Sequence, residues 1–173
     1  MSDLVRLYVQ IALLRRGPQD VPASGFLLAA TAAGYFAISF LITSLLPRIP
    51  SAWLGHLTAD VLFTLAWYAL LLRLLGRSER FLQTTTAVFG LQAVITPLML
   101  VTGSLIARFQ NAPVPQLLMS LLGLALVVWL IAATGRVLKA ALEWPMPSCV
   151  ALVILQIIAS QILVNTIFPV DVS

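Results

Sequence analysis

The chain has 173 residues, of which 61% are hydrophobic and only 9% are charged. A soluble domain typically has about 25% charged residues, so this chain has too little polar surface for a water-soluble globule, and the bilayer must be the solvent for most of it. The net charge of +4 does not indicate nucleic acid as a partner, because the cations lie between apolar segments and no nucleic-acid-binding motif is present.

The N-terminal residues 1–16 predict an amphipathic helix that is too short and too charged to cross a bilayer, which takes roughly 20 apolar residues. The apolar positions that recur at spacings of three and four are Leu4, Leu7, Tyr8, Ile11 and Leu14. We expect this helix to lie at the membrane interface, in contact with lipid headgroups. The expected headgroup contacts are Arg6, Arg15 and Arg16. The alternative is an ordinary helix packed on the end of the bundle.

Gly17 and Pro18 stop this helix, and five apolar segments follow, each long enough to cross a hydrocarbon core of roughly 30 Å. These segments run over residues 25–46, 53–75, 81–107, 115–135 and 148–168. The connections are short, so consecutive segments should pack antiparallel, and none has room for a soluble domain. The sequence therefore predicts an all-α, polytopic membrane helix bundle. Five transmembrane helices are preceded by an amphipathic interfacial helix in a single membrane domain over residues 1–173.

Lysine and arginine are distributed unequally between the two sides of this topology. The side with the N-terminus has eight of them, and the other side has two, Arg48 and Arg108. Cytoplasmic loops carry the excess of Lys and Arg, so we expect a cytoplasmic N-terminus and a periplasmic C-terminus. The dominance of arginine over lysine, together with Leu- and Ala-rich spans, is typical of a GC-rich bacterial genome. The expected location is therefore a bacterial inner membrane.

Asp60 lies about seven residues into the second span, where a carboxylate is costly unless it faces the bundle interior or a water-filled cavity. His56 precedes it by four residues, which is the same face of a helix. One interpretation is a protonatable pair that carries protons or cations. The other is a structural node, in which Asp60 is hydrogen-bonded to a neighbouring helix. We favour the node, because a proton relay usually has several acids and Asp60 is alone at this depth.

Further polar side chains lie within the predicted spans. The residues that complete a candidate intramembrane polar site with Asp60 and His56 are Gln92, Thr96, Gln161 and Asn165. Gln92 and Thr96 share one helix face, and Gln161 and Asn165 share another. Such side chains usually form hydrogen bonds between helices, and the alternative is a polar lining for a small substrate path.

The first span carries a stripe of small residues at a spacing of four. The stripe consists of Gly25, Ala29, Ala33 and Ala37. Small residues at this spacing let two helices approach closely, either within the chain or between two copies of it.

The sequence gives little support to catalysis. His56 is the only histidine and Cys149 the only cysteine, so a cysteine-based metal cluster, an intrachain disulfide and a Ser-His-Asp set with an elbow motif are all excluded. The glycines are scattered and form no phosphate-binding loop. We expect no enzymatic activity, no cofactor and no metal ion.

The third span reads RFLQTTTAVFGLQAVITPLML, and the region of the fourth and fifth spans reads WLIAATGRVLKAALEWPMPSCVALVIL. The third helix begins with an aromatic residue and a Gln and has a Pro near its middle. A Trp-bearing helix, a basic loop helix, a break and a final span follow it. This order of elements resembles the Yip family. These are five-span membrane proteins named for their interaction with Rab-type GTPases. The resemblance covers roughly residues 20–168 and implies a cytoplasmic N-terminus and an external C-terminus.

One departure from that family limits what the resemblance implies. Eukaryotic members carry a short aromatic-Gly-Pro motif, and the segment RRGPQD has only the Gly-Pro. GTPase binding is therefore not carried over, and the implied role is a membrane-embedded organiser or adaptor.

The predicted function is thus a non-enzymatic organiser or adaptor that acts through lateral contacts with the lipid bilayer and with other membrane proteins or a second copy of the chain. The alternative is a small transporter or channel subunit that uses Asp60 and His56 as an intramembrane pair.

Overall fold

The computed structural model describes residues 2–44 and 52–168, with side chains from Arg6 onward. The helices are α1 (Ser2–Ala12), α2 (Gly25–Ser44), α3 (Trp53–Leu74), α4 (Phe81–Arg108), α5 (Pro113–Leu142) and α6 (Met146–Ile167). The structure is 87% helical, and the described residues form no strand. Helices α2 to α6 are each long and apolar enough to cross a membrane, which confirms the prediction of five transmembrane helices.

Helix α4 lies at the centre of the bundle, in contact with α1, α2, α3 and α5. Every residue of the run 84–91 is buried, so this part of α4 is covered on all sides. The run contains mostly small and β-branched side chains, including Ala87 and Gly90, which lets neighbouring helices approach its axis closely.

Three helices end at the same end of the bundle, and each is followed within two residues by a residue in the left-handed backbone region. Helix α3 is followed by Gly76, with φ of 68°, and the amide of Arg77 donates to the carbonyl of Leu72 at 2.8 Å. This is the Schellman arrangement that commonly ends helices at glycine. Leu14 after α1 and Glu143 after α5 have φ of 61°, although neither is a glycine.

We call this end of the bundle, formed by residues 13–24, 75–80 and 143–145, the basic end. The cations that lie at or near it are Arg6, Arg15, Arg16, Arg73, Arg77, Arg80, Arg136 and Lys139. The opposite end contains residues 109–112, the start of α3 and the end of α6. Arg48 belongs to residues 45–51, which lie outside the described residues.

The end of α1 differs from the one expected, and α5 joins two expected segments in one helix. Helix α1 ends at Ala12 instead of residue 16, because Leu14 adopts the left-handed conformation and the amide of Arg15 donates back to the carbonyl of Gln10 at 2.8 Å. Helix α5 continues from the apolar span through the basic loop helix expected after residue 135, and it ends at Leu142. Hydropathy marks where the apolar stretch ends, but the helix continues because Val137 and Leu138 pack into the core.

Helix α1 packs against the bundle. Leu7 and Ile11 are buried in the main hydrophobic cluster, and the hydroxyl groups of Tyr8 and Thr31 form a hydrogen bond of 2.7 Å. A Cβ atom at Gly90 would overlap the ring of Tyr8, so glycine at this position allows α1 to approach α4. Its position relative to a bilayer stays a prediction.

Candidate functional site

Asp60 connects three transmembrane helices through its carboxylate. Tyr35 on α2 donates its hydroxyl hydrogen to one oxygen of Asp60 at 3.0 Å, and the hydroxyl of Ser160 on α6 faces the other oxygen at a longer 3.5 Å. A polar group removed from water is costly unless it is hydrogen-bonded, and these two hydroxyls provide partners on both sides of the carboxylate. We call Asp60, Tyr35 and Ser160 the polar node.

His56 lies on the same helix as Asp60 but has different neighbours. Its ring packs against the ring of Phe168 with the centroids 4.9 Å apart and the planes tilted by 58°. Within the described residues, no hydrogen bond or ion pair joins His56 to Asp60. The structure therefore does not bring the two residues together as a directly bonded pair.

The other expected polar residues lie outside the polar node. Within the described residues, neither Thr96 on α4 nor Ser39 on α2 is hydrogen-bonded to Tyr35, and the buried Ser39 hydroxyl has no partner. Gln92 is partly buried, and its side-chain oxygen has no partner among the described residues. Gln161 and Asn165 are exposed on the outer surface of α6, away from the node. The six residues of the predicted site thus do not line one cavity.

The small-residue stripe on α2 lies on the surface of the bundle. All four of its residues, Gly25, Ala29, Ala33 and Ala37, are exposed. Helix α2 contacts α4 with a different face, whose buried residues are Leu28, Thr31, Tyr35 and Ser39. The stripe is therefore not the contact between α2 and α4, and its use between two copies of the chain stays a prediction.

A second buried hydrogen bond joins the bundle at mid-depth. Tyr68 on α3 donates to the side-chain oxygen of Gln156 on α6 at 2.7 Å, and both side chains are buried. Gln83 on α4 donates to the carbonyl of Val21 at 3.1 Å. The bond of Gln156 is the interhelical role that amides within a span usually have, whereas Gln83 holds the connector before α2 against α4.

At the basic end, Glu143 forms ion pairs with Arg77 and Arg80 at 2.8 and 2.7 Å. Arg80 also donates to the carbonyls of Ala140 and Ala141 in the last turn of α5, where carbonyl groups lack partners within the helix. The hydrogen bond from Arg80 and the charges of both arginines lower the pKa of Glu143. The predicted headgroup contacts Arg6, Arg15 and Arg16 are exposed at this same end.

Sequence reasoning missed the hydroxyl partners of Asp60. Tyr35 and Ser160 lie in other spans, 25 and 100 residues away along the chain, and no local spacing links them to Asp60. Tyr35 itself could have indicated this contact, because a tyrosine hydroxyl deep in an apolar span needs a hydrogen-bond partner.

The described residues contain no cluster of three or more His, Cys, Asp or Glu side chains that could hold a metal ion. The polar node has one carboxylate and two hydroxyls, which is a set suited to hydrogen bonding between helices. Comparison of the chain with protein-family models, with curated proteins and with solved structures finds no match.

Proposed function

We propose that this chain is a non-enzymatic integral membrane protein that acts as an organiser or adaptor through lateral contacts within the bilayer. The observation that carries the proposal is the surface of α5. None of its residues 113–132 is buried, and five apolar side chains on one face are 54–67% exposed. They are Val114, Leu117, Leu121, Leu124 and Val128.

The spacing of these five residues alternates between three and four. This is the pattern of a seam along which two helices pack with side chains interdigitated. We call these residues the α5 seam. Lipid-facing positions need only be apolar, so the seam also satisfies contact with lipid alone. The regular spacing of the seam favours another transmembrane helix as the neighbour.

The experiment that tests this proposal is photocrosslinking in native membranes. A photoreactive amino acid replaces Leu121 in the seam, and the control replaces Leu62 on α3, which is 61% exposed but outside the seam. We expect discrete protein adducts from position 121 and only lipid adducts from position 62. If neither position gives a protein adduct, or both give the same ones, the seam is not a specific lateral contact.

The alternative function is a small transporter or channel subunit that uses Asp60 and His56. The polar node favours it only in that a carboxyl group lies within the bundle beside two hydroxyls. Charge would then be required, so pH-dependent flux into proteoliposomes should be abolished by Asp60→Asn, because an amide does not titrate. A wild-type protein that carries no such flux leaves lateral contact as the better account.

The chain lies in a bacterial inner membrane with its N-terminus and its basic end in the cytoplasm. The support is the distribution of Lys and Arg, eight at the basic end against Arg48 and Arg108 elsewhere. The resemblance to the Yip family implies the same orientation. A reporter that is active only outside the cytoplasm should be active when fused after Ser173 and silent when fused at Gly76, and the reverse result would overturn the orientation.

A further inference from the structure

The basic end of the bundle contains a cleft of about 710 Å³. It lies between the segment that follows α1 and the facing ends of α5 and α6. Four cationic side chains line it, together with two carboxylates. The cations are Arg15, Arg16, Arg136 and Lys139, and the acids are Asp20 and Glu143.

The backbone fixes the two walls of this cleft. On one wall, the turn at Leu14 directs the chain away from α1, and a short 3-10 turn, Pro18–Asp20, packs Pro18 against the bundle. Arg15 and Arg16 lie between these two fixed points. On the other wall, Arg136 and Lys139 are three residues apart in α5 and therefore project from one face of that helix.

The two acids of the cleft are already engaged. Asp20 accepts a hydrogen bond from the backbone amide of Gly17 at 3.1 Å, which caps the 3-10 turn. Glu143 is paired with Arg77 and Arg80. Among the described side chains, no carboxylate lies within 4.0 Å of the four lining cations, since the two ion pairs found there are those of Glu143. Converging like charges repel each other, and an anion between them would offset that cost.

A second cavity of about 410 Å³ adjoins the cleft and shares Gln19 and Ala140 with it. Thr84 lines this inner cavity, and its side chain is 0% exposed with its hydroxyl oxygen lacking any partner among the described residues. The buried hydroxyls of Thr85 and Thr86 also lack a partner among the described residues, but of the three threonines Thr84 alone lines the cavity and so can meet a bound polar group. Arg80 and Gln83 line the same cavity and can donate further hydrogen bonds.

We infer that the cleft binds a phosphate ester anion, with the phosphate between the cations of its two walls and the polar remainder of the ligand directed toward Thr84. The ester is either the headgroup of an anionic phospholipid or a soluble phosphate ester. Guanidinium groups match phosphate oxygens in pairs, and three of the four cations are arginines. Basic pockets between transmembrane helices on the cytoplasmic side are suited to lipid headgroups.

The surface next to the cleft favours the lipid as the source. Helix α5 runs from Lys139 and Arg136 toward the exposed side chain of Trp129, which is not part of the α5 seam. Acyl chains can therefore lie along α5 while the headgroup occupies the cleft. The inference rests on the proposed function, because it assigns one of the chain's lateral contacts to a lipid. Loss of headgroup binding would leave the protein crosslinks from position 121 unchanged. Failure of the lipid inference can therefore be distinguished from failure of the proposed function.

The test measures lipid binding to the purified full chain in mild detergent by native mass spectrometry. The probes are phosphatidylglycerol, phosphatidylcholine with the same acyl chains, and soluble glycerol 3-phosphate. We expect phosphatidylglycerol to bind the wild type more tightly than phosphatidylcholine. The double variant Arg136→Gln/Lys139→Gln should weaken phosphatidylglycerol binding about 30-fold, at roughly a factor of five for each lost cation.

The matched control is Arg73→Gln/Arg108→Gln, which removes the same net charge from exposed positions that do not line the cleft. It should change the affinity less than about twofold, since only diffuse attraction is lost. An equal loss of phosphatidylglycerol affinity in both double variants, or equal binding of both lipids by the wild type, would exclude the lipid as the source of the phosphate. Arg15→Gln/Arg16→Gln on the other wall provides an independent variant if the first does not fold.

A third comparison tests the inner cavity and the source of the phosphate. Thr84→Val keeps the shape and removes the hydroxyl, so it should weaken binding a few-fold, about threefold to tenfold. Thr85→Val removes an equally buried hydroxyl that lines neither cavity, and it should leave binding unchanged. Glycerol 3-phosphate that binds the wild type and not the Arg136→Gln/Lys139→Gln variant would assign the cleft to a soluble ester. If neither probe is sensitive to the cleft variants, the inference fails.

Discussion

The two halves of the bundle are built differently. Toward the basic end, residues 84–91 of α4 are all buried, and α5 has seven buried residues between Ala133 and Leu142. Toward the opposite end, α5 has no buried residue over 113–132, and α4 has only Thr102 after Ile95. The basic half is a closely packed core, whereas the helices of the opposite half touch each other but bury few side chains and expose apolar surfaces.

Helix α1 and the 3-10 turn explain much of this difference. They add Leu7, Ile11 and Val21 to the core of the basic half, so the central helix is surrounded there on every side. The opposite half has no such additional element among the described residues. In a bilayer, lipid tails are as apolar as leucine, so apolar helix surfaces gain nothing from water exclusion and can stay exposed to lipid. The open half is thus free to make lateral contacts.

The largest expected effect on stability is a difference between two leucines of α5, one in each half of the bundle. Leu138 is fully buried in the basic half, and Leu138→Ala should lower the free energy of unfolding by about 2–4 kcal/mol through the cavity left behind. Leu121 is 54% exposed in the open half, and Leu121→Ala should change the free energy of unfolding by less than about 0.5 kcal/mol. Unfolding of both variants in detergent measures the difference. Equal losses would mean that the open half is packed against something in solution.

The next largest effect on stability is expected where α1 packs against α4. Gly90→Ala places a methyl group against the ring of Tyr8 and should destabilise the protein by about 1–3 kcal/mol, with faster amide hydrogen exchange over residues 7–12. Gly103→Ala is the control on the same helix, because a Cβ atom there meets open space. It should stabilise slightly through helix propensity, by up to about 1 kcal/mol. Unchanged exchange in Gly90→Ala would show that α1 is not held by this contact.

Part of this fold was predictable from the sequence, and part was not. The number and type of the transmembrane helices followed from hydropathy, because a bilayer requires apolar segments of a fixed length. The turn at Leu14 was not predictable, since a left-handed leucine has no sequence signal comparable to glycine. The hydroxyl partners of Asp60 were not predictable either, because one sequence gives helix faces but not the rotation of each helix toward its neighbours.

In the open half, the polar node replaces part of the missing packing. Asp60→Leu removes the bonds to Tyr35 and Ser160 and should destabilise the protein by about 1–2 kcal/mol. Asp60→Asn keeps the size and an acceptor oxygen, so its loss should be under about 0.5 kcal/mol. Thermal unfolding in detergent separates the two. An Asp60→Asn variant as unstable as Asp60→Leu would mean that the node depends on charge and would strengthen the transporter alternative.

The smallest effect is expected at the surface of the basic end, where Glu143 pairs with Arg77 and Arg80. The hydrogen bond from Arg80 and the charges of both arginines lower the pKa of Glu143. A carboxyl whose pKa is lower in the folded state stabilises the fold above its unfolded value of about 4.3, and this contribution disappears as the pH falls through the folded value. The carboxylate is exposed, so solvent screens the pairs and the effect stays small.

The measurement is the difference in Tm between the wild type and Glu143→Gln from pH 7 to pH 3. The wild type should be slightly more stable at pH 7, and the difference should vanish toward pH 3 because protonated Glu143 and Gln are then equivalent. Glu79→Gln is the control, because Glu79 is exposed and forms no ion pair within the described residues. A Tm difference for Glu143→Gln that persists at pH 3 would attribute the effect to the left-handed backbone at this residue, where φ is 61°, rather than to its charge.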